Sequence, residues 1–504
     1  MPVFFSMRSW FLMLVFFGFF ASVHAQDSTK WYQRIRLDGY IQLQFAATDK
    51  ADTLSLHSES AGRFDRFVSN KFMLRRSRMQ FRYIDSLAES SISFDINERG
   101  VQIKDSWLRL KDPWFHTVQL TLGIFSRPFG EEIELSSRDR ELPERTLVTH
   151  QIFPGIRDLG VNLRIRAPKK HPLHFLQMDA GLYHGTSGNL ESDKFKDLSG
   201  RLLIDNPINV KNVNYHFGYS GYFGKVNHLY DIDGSASNYR FIWNTIDTTL
   251  TINGVSQSFK IFTQDLSMVS LQGLLNDPNN RITKGSYTAH VNRIYHSFHG
   301  QVKISSIIGK TTLRGEYLFG QQVSVEGTLG NPYVFTSQSP TGPFTGVTWP
   351  KFDSPQPYNA AVVGPSSKPY HTFVRQFQAY YLYVDQQLGK TKHYLTYRLD
   401  FYDPNTQVKG NEIILNIVDE SGQILGPSGL SVADVAFTNH VVGYRFEATK
   451  NLTLSAFIEM PKNEITQLIP LDSEQIGLGK YPHSGFLSDI RDNVLLVRIQ
   501  YKFN

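Results

Sequence analysis

The sequence predicts an all-β protein: a transmembrane antiparallel β-barrel of about 16 strands, with short periplasmic turns and long extracellular loops. Three observations predict this fold. Segments of about ten residues alternate apolar and polar side chains, which is typical of a barrel wall with lipid on one side and water on the other. The connections alternate between short and long, and the N-terminus has the layout of an export signal.

The N-terminal residues 1–25 have the features of a secretory signal peptide, so we expect residues 26–504 to form the barrel. Arg8 precedes an apolar run over 10–20, and the small residue Ala25 ends a cleavage-like site. A membrane anchor is the alternative, but the run is shorter than the roughly 20 residues that a helical span requires. Export also argues against nucleic acid as a partner.

The first two predicted strands are RIRLDGYIQLQF at 34–45 and FMLRRSRMQFRY at 72–83. Alternate side chains of a strand point to opposite faces. In the second strand, Arg76, Arg78 and Arg82 therefore share a face opposite an aromatic row. Arginine facing lipid costs about 2 to 4 kcal/mol at the bilayer midplane, so we expect this face to look into the lumen. By the same alternation, Arg75 falls on the outward face with the aromatic row, and we expect it near a membrane rim.

Fourteen further segments complete the predicted strands, and the last ends with the outward aromatic side chain of Phe503. A barrel of about 16 strands leaves an aqueous channel, whereas eight strands would be filled by side chains. The segments are 91–97, 101–111, 118–125, 160–166, 173–184, 197–206, 213–224, 298–309, 311–322, 372–388, 391–403, 438–449, 451–461 and 493–503. The long loops are predicted at 46–71, 127–158, 225–297, 323–371, 404–437 and 462–492.

Four stretches resemble the phosphate-selective porins, the porin O and P family of Gram-negative bacteria: GIFSRPFGEEIELSSRDRELPERT (123–146), FPGIRDLGVNL (153–163), GLYHGTSGNLESDKFKDLSGRL (181–202) and YRLDFYDPN (397–405). The resemblance covers most of the chain, and PFG followed by SSR and ER carries it best. It implies a sixteen-stranded trimeric barrel in the outer membrane, a long loop that folds inward to narrow the pore, and cationic side chains that guide anions such as phosphate.

The predicted inward rows are net positive, because fourteen cationic positions face eight anionic ones. The cations are Arg36, Arg76, Arg78, Arg82, Arg109, Arg164, Arg166, Arg201, Lys303, Arg314, Arg398, Arg445, Arg498 and Lys502. The anions are Asp38, Asp95, Asp105, Asp179, Glu316, Asp400, Glu447 and Glu459. Such an excess raises the local anion concentration in a narrow channel. This excess predicts a porin that prefers small anions, and the family resemblance implies phosphate or polyphosphate among them.

Six of these arginines are the candidate steps of an anion path: Arg76, Arg78, Arg82, Arg109, Arg164 and Arg166. A guanidinium can hold phosphate or carboxylate with two hydrogen bonds. Equally, these arginines could pair with acidic residues of neighbouring strands and stiffen the wall. The first three are the strongest candidates, because no acidic residue lies between them.

The loop 127–158 is the candidate constriction. It mixes the arginines Arg127, Arg138, Arg140 and Arg145 with glutamates and aspartates, which suits a loop held in the lumen by ion pairs. A solvated extracellular loop is the alternative.

Other functions find less support in the sequence. No metal-ligand or serine-hydrolase spacing is present, so we expect no enzymatic activity and no cofactor. An oligosaccharide porin would need an aromatic track, for which Tyr40, Trp107, Tyr222 and Tyr380 are candidates. The Pro- and Gly-rich stretch 330–370 leaves open an adhesin or partner-docking barrel.

Overall fold

The computed structural model describes residues 31–49, 68–97, 100–115, 117–153, 156–185, 195–231, 242–252, 255–264, 286–325, 372–414, 416–418, 424–427, 430, 434–467, 488–489 and 492–503. The predicted signal peptide and the stretch 330–370 lie outside these ranges. No helix in the described ranges is long and apolar enough to cross a membrane.

Sixteen antiparallel strands form a closed barrel, which confirms the predicted fold. Each strand pairs with the next around the ring, and the pairing of the first strand with the last closes it. The barrel strands are β1 (Ile35–Thr48), β2 (Asn70–Ile84), β3 (Ala88–Asn97), β4 (Gly100–Lys111), β5 (Val118–Ser126), β6 (Arg157–Arg166), β7 (Leu176–Tyr183), β8 (Asp197–Asp205), β9 (Val213–Asp231), β12 (Ser286–Ser306), β13 (Gly309–Val325), β14 (Thr372–Gln387), β15 (His393–Asp403), β18 (Phe437–Glu447), β19 (Leu452–Asn463) and β20 (Val494–Phe503).

Four further strands form two hairpins within the long connections: β10 (Ile242–Ile252) with β11 (Val255–Gln264), and β16 (Asn416–Val418) with β17 (Ile424–Pro427). Strand β9 pairs directly with β12, so the first hairpin is an insertion. The short helices are α1 (Leu147–Ile152) and the 3-10 turns Trp31–Arg34 and Gly410–Glu412.

The predicted alternation of turns and loops is present, with two differences. The connection between β3 and β4 is only residues 98–99, although it lies at the loop end. Strands β9 and β12 run into the predicted loop 225–297, because they keep pairing as far as Asp231 and Ser286. This extension was not predicted, because alternation indicates a strand only where its two faces differ in polarity.

The two faces of the wall have opposite chemistry. On β1, the apolar Leu37, Ile41 and Leu43 are exposed on the outside, whereas Asp38 and Gln42 are buried on the inside. A soluble sheet would bury its apolar face instead. The outside of the barrel therefore suits a lipid environment.

Two β-bulges change which side chains reach the lumen. One adds Arg75 to β2 opposite Gln42 and Leu43, and the other adds Lys104 to β4 opposite Ser93 and Phe94. An extra residue shifts the parity of a strand. The prediction of Arg75 at an outer rim is therefore wrong: its Nε lies 2.9 Å from a carboxylate oxygen of Glu144 inside the barrel.

Candidate functional site

Residues 127–153, here called the lumen segment, lie inside the barrel and contact opposite parts of its wall. The hydroxyl of Tyr40 on β1 lies 2.5 Å from that of Ser137. Far around the ring, Arg201 on β8 donates to Glu134 over 2.6 Å. Since β1 and β8 are almost diametrically opposed in the strand order, the segment spans the lumen.

Aromatic packing fixes the two ends of the lumen segment against the wall. The ring of Phe153 lies 5.1 Å from that of Phe129, 5.0 Å from that of Tyr222 on β9 and 5.5 Å from that of Tyr295 on β12. All four side chains are almost fully buried. Edge-to-face contacts of this kind add about 0.5–1.5 kcal/mol each beyond the burial of apolar area. The segment thus has an apolar core of its own within the barrel.

The far side of the lumen segment is held by Glu144, whose side chain is fully buried. Its oxygens lie 2.9 Å from Arg75 Nε, 2.7 Å from Arg76 Nη2 and 3.1 Å from Arg498 Nη2. The bulge in β2 explains why two consecutive arginines reach the same carboxylate. One negative charge against three positive ones leaves this contact net positive.

Each of the three candidate arginines on β2, Arg76, Arg78 and Arg82, is ion-paired. Besides the Arg76 contact, Arg78 Nη2 lies 2.9 Å from Asp95 on β3, and Arg82 Nη2 lies 2.8 Å from Asp38 on β1. The absence of acidic residues between them along β2 did not exclude pairing, because the carboxylates come from neighbouring strands and from the lumen segment.

The other three candidates for the anion path differ in their surroundings. Arg109 lies 4.6 Å over the ring of Trp107 and 3.5 Å from Glu89. Arg164 is 2.6 Å from Asp179. Arg166 is the most exposed of the three and pairs over 2.7 Å with an aspartate at the turn end of the barrel. The structure therefore spreads these arginines along the wall of β4 and β6.

The arginines of the lumen segment have three different roles. Arg127 forms a buried ion pair of 2.7 Å with Asp158, and Arg138 pairs with Asp38 over 3.0 Å. Arg145 donates to two carbonyl oxygens of the segment itself. Arg140 is only 8% exposed, and its three guanidinium nitrogens have no hydrogen-bond partner within the described ranges.

These contacts assemble an uneven group of charges, here called the cation cluster. It comprises four arginines around the carboxylate of Glu144: Arg75, Arg76 and Arg498, which form ion pairs with it, and Arg140, which interacts with it electrostatically. The sequence missed Arg75 and Lys104 because both are bulge residues, and a bulge has no reliable signal in a single sequence.

The aromatic residues considered for a sugar track are not brought together. Tyr380 lies on the outer face of β14, where it stacks on Phe401, so its assignment to the channel is wrong. Tyr40 is buried beneath the lumen segment, and Tyr222 belongs to the apolar core around Phe153. Trp107 lines an open cavity in the described part of the lumen.

No protein-family model and no curated protein matches this chain. The resemblance to the phosphate-selective porins therefore stays a prediction.

Several solved outer-membrane proteins have a similar structure. An anion-selective porin from Comamonas acidovorans is 9% identical, with a TM-score of 0.45 and matched regions covering 93% of this chain and 99% of the other. The trimer form of OmpT, an outer membrane protein of Vibrio cholerae, is 9% identical, with a TM-score of 0.44 and the same coverage. The outer membrane channel DcaP of Acinetobacter baumannii is 9% identical, with a TM-score of 0.45 and coverage of 93% and 97%. Because these TM-scores are below 0.5, the barrel fold is assigned from the strand pairing of this chain alone.

Proposed function

We propose that this protein is a porin, a water-filled channel in the outer membrane of a Gram-negative bacterium. A closed sixteen-stranded wall with an apolar outside and a polar inside supports the proposal, because a barrel of this size encloses more space than wall side chains fill. The lumen segment occupies part of the lumen, so the channel is the remaining space between this segment and the barrel wall. We further propose that three copies associate, as the family resemblance implies.

The channel prefers anions. The observation that carries this proposal is Arg140, a buried guanidinium without a protein hydrogen-bond partner among the described residues, beside three arginines that share the single carboxylate of Glu144. A buried charge is costly unless it is hydrogen-bonded. The charge of Arg140 therefore acts at a distance and adds to the positive field that a permeating anion meets in the lumen.

The arginines of β2 act mainly through their field. Since Arg76 shares Glu144 with Arg75 and Arg498, pairing does not neutralise that part of the wall. The more exposed Arg109 and Arg164 offer anions direct contact along β4 and β6. Ion pairs thus hold the lumen segment, and the surplus charge provides selectivity.

The test is the reversal potential of the reconstituted protein in a potassium chloride gradient. We expect chloride to permeate more readily than potassium, and inorganic phosphate to reduce the chloride current. Arg140→Gln should weaken both effects, whereas Lys310→Gln, at a turn-end position outside the cluster, should change neither. Cation preference in the parent protein would refute the proposal.

A docking barrel is the second candidate, and the dense packing of the lumen segment favours it. Phe129, Ile133, Val148 and Phe153 form an apolar core inside the barrel, as they would in a plug. A plugged barrel gives no single-channel steps in a planar bilayer, so conductance distinguishes the two functions directly.

A further inference from the structure

A cavity of about 200 Å³ lies between the inner wall and the lumen segment, where β4, β5 and β6 run side by side. Strand β4 contributes Trp107 and Arg109, and β6 contributes Asn162 and Arg164. Glu134 of the lumen segment closes the other side. We call this space the Trp107 cavity.

Two guanidinium groups present unused donors to the Trp107 cavity. Arg109 uses Nε and Nη1 on wall residues. Arg164 uses Nε on Asp179 and Nη2 on Glu134. Within the described ranges, Arg109 Nη2 and Arg164 Nη1 donate to no protein acceptor. Their side chains remain 27% and 26% exposed, so these nitrogens are accessible to a ligand.

The carboxylates at the Trp107 cavity are already engaged. Asp105 accepts hydrogen bonds from Arg157 over 2.8 Å and 3.3 Å and from Ser93 over 2.6 Å. Glu134 accepts one from Arg201 over 2.6 Å in addition to that from Arg164. A cationic ligand would have to displace these arginines, whereas an anionic ligand finds free donors. The cavity therefore suits a negatively charged group.

The remaining lining is suited to more than a bare anion. Trp107 offers an aromatic surface, one face of which is covered by the Arg109 guanidinium. The side chain of Asn162 is buried, and its Oδ1 has no hydrogen-bond partner in the described part of the chain. Gln119 adds a further amide. An aromatic surface attracts the C–H face of a sugar ring, and amides bind its hydroxyls, whereas inorganic phosphate needs neither.

We propose that the Trp107 cavity is a subsite for a sugar acid, a pyranose ring that carries a carboxylate. Arg109 and Arg164 hold the carboxylate, Trp107 packs on the ring, and Asn162 accepts a hydrogen bond from a ring hydroxyl. The inference rests on the proposed channel function and names a class of solute for it. Binding is weak enough to allow passage, since a solute that binds tightly would block the pore.

Single-channel recording of the full chain tests the subsite with D-glucuronate as probe, and with D-glucose and inorganic phosphate as comparisons. Glucuronate should interrupt the current at a lower concentration than either. Trp107→Ala should raise the half-blocking concentration of glucuronate about fivefold without changing that of phosphate. Arg109→Gln should raise it about tenfold. Trp114→Ala, in an exposed turn outside the lumen, is the matched control and should have no effect.

The outcomes separate this inference from the proposed function. If the protein conducts but glucuronate and phosphate block it equally, it is a channel without a sugar-acid subsite. The same conclusion follows if Trp107→Ala leaves the block by glucuronate unchanged. Trp107→Phe keeps an aromatic ring, so its block should stay near that of the parent even where the alanine variant assembles poorly. If the parent does not conduct, the channel function fails, and equilibrium dialysis of glucuronate against micelle-bound protein decides the subsite.

Discussion

Replacing Glu144 by glutamine removes a carboxylate that three arginines share inside the barrel. Breaking a buried ion pair on one side costs about 3–5 kcal/mol, because the remaining charge stays buried. Arg76 and Arg498 keep hydrogen bonds to Gln42 and Gln44, which places the expected loss at the low end, about 3 kcal/mol. The variant should also be more anion-selective, because the four arginines of the cation cluster lose the carboxylate that they surround.

Urea unfolding in detergent micelles measures the first effect and reversal potentials measure the second. Glu141→Gln is the matched control on the same segment, since Glu141 contacts a single arginine, Arg314, over 3.2 Å and is partly exposed. We expect it to cost less than Glu144→Gln, because a single arginine loses its carboxylate and that arginine keeps two hydrogen bonds to Gln301. Equal losses for the two variants, or a Glu144 variant as stable as the parent, would refute the idea that Glu144 fastens the lumen segment.

Three further predictions follow from single features of the wall. Changing Arg76, Arg78 and Arg82 together to glutamine should lower both barrel stability and anion selectivity, because the carboxylates that they pair with would remain without their cations. Unchanged reversal potentials would count against a contribution of these arginines to the electrostatic field of the lumen. Gly320→Ala should reduce the yield of heat-modifiable barrel on gels, since Gly320 has φ +151° and a Cβ there would overlap the backbone of the neighbouring strand. Normal assembly of this variant would argue against the described strand pairing. Asp112 lies in a turn at one end of the barrel. Slight burial tends to raise the pKa of its carboxyl group, but hydrogen bonds from four backbone N–H groups outweigh this and lower the pKa to about 2. Its stabilising effect is thus complete above about pH 4 and lost towards pH 2, so that parent and Asp112→Asn should converge in acid unfolding; a constant difference down to pH 2 would contradict this.

The wall could be predicted closely from the sequence because its physics is local. Each strand separates lipid from water, so polarity alternates along it, and the predicted strands all lie in the barrel. The prediction failed where that local rule stops. The alternation did not predict the pairing of β9 and β12 as far as Asp231 and Ser286, and at Arg75 a bulge reverses the parity.

The site could be predicted only as a composition. The sequence showed an excess of inward arginines. It did not show which acidic residues pair with them, because these partners are distant in the chain. Arg76 and Glu144 are 68 residues apart, and Arg398 donates to the carbonyl oxygen of Glu144 across 254 residues. Such pairs depend on how residues 127–153 cross the lumen, and nothing in the local sequence fixes that path.

The crossing of the lumen also has a consequence for the order of folding. Arg498 on the last strand binds the carbonyl oxygen of Pro143 and the carboxylate of Glu144, more than 350 residues earlier in the chain. The same strand closes the ring by pairing with β1. Contacts of such long range form late, since the entropy of loop closure must be overcome first. Docking of the final strand on the lumen segment and closure of the ring are therefore both expected among the last steps of folding.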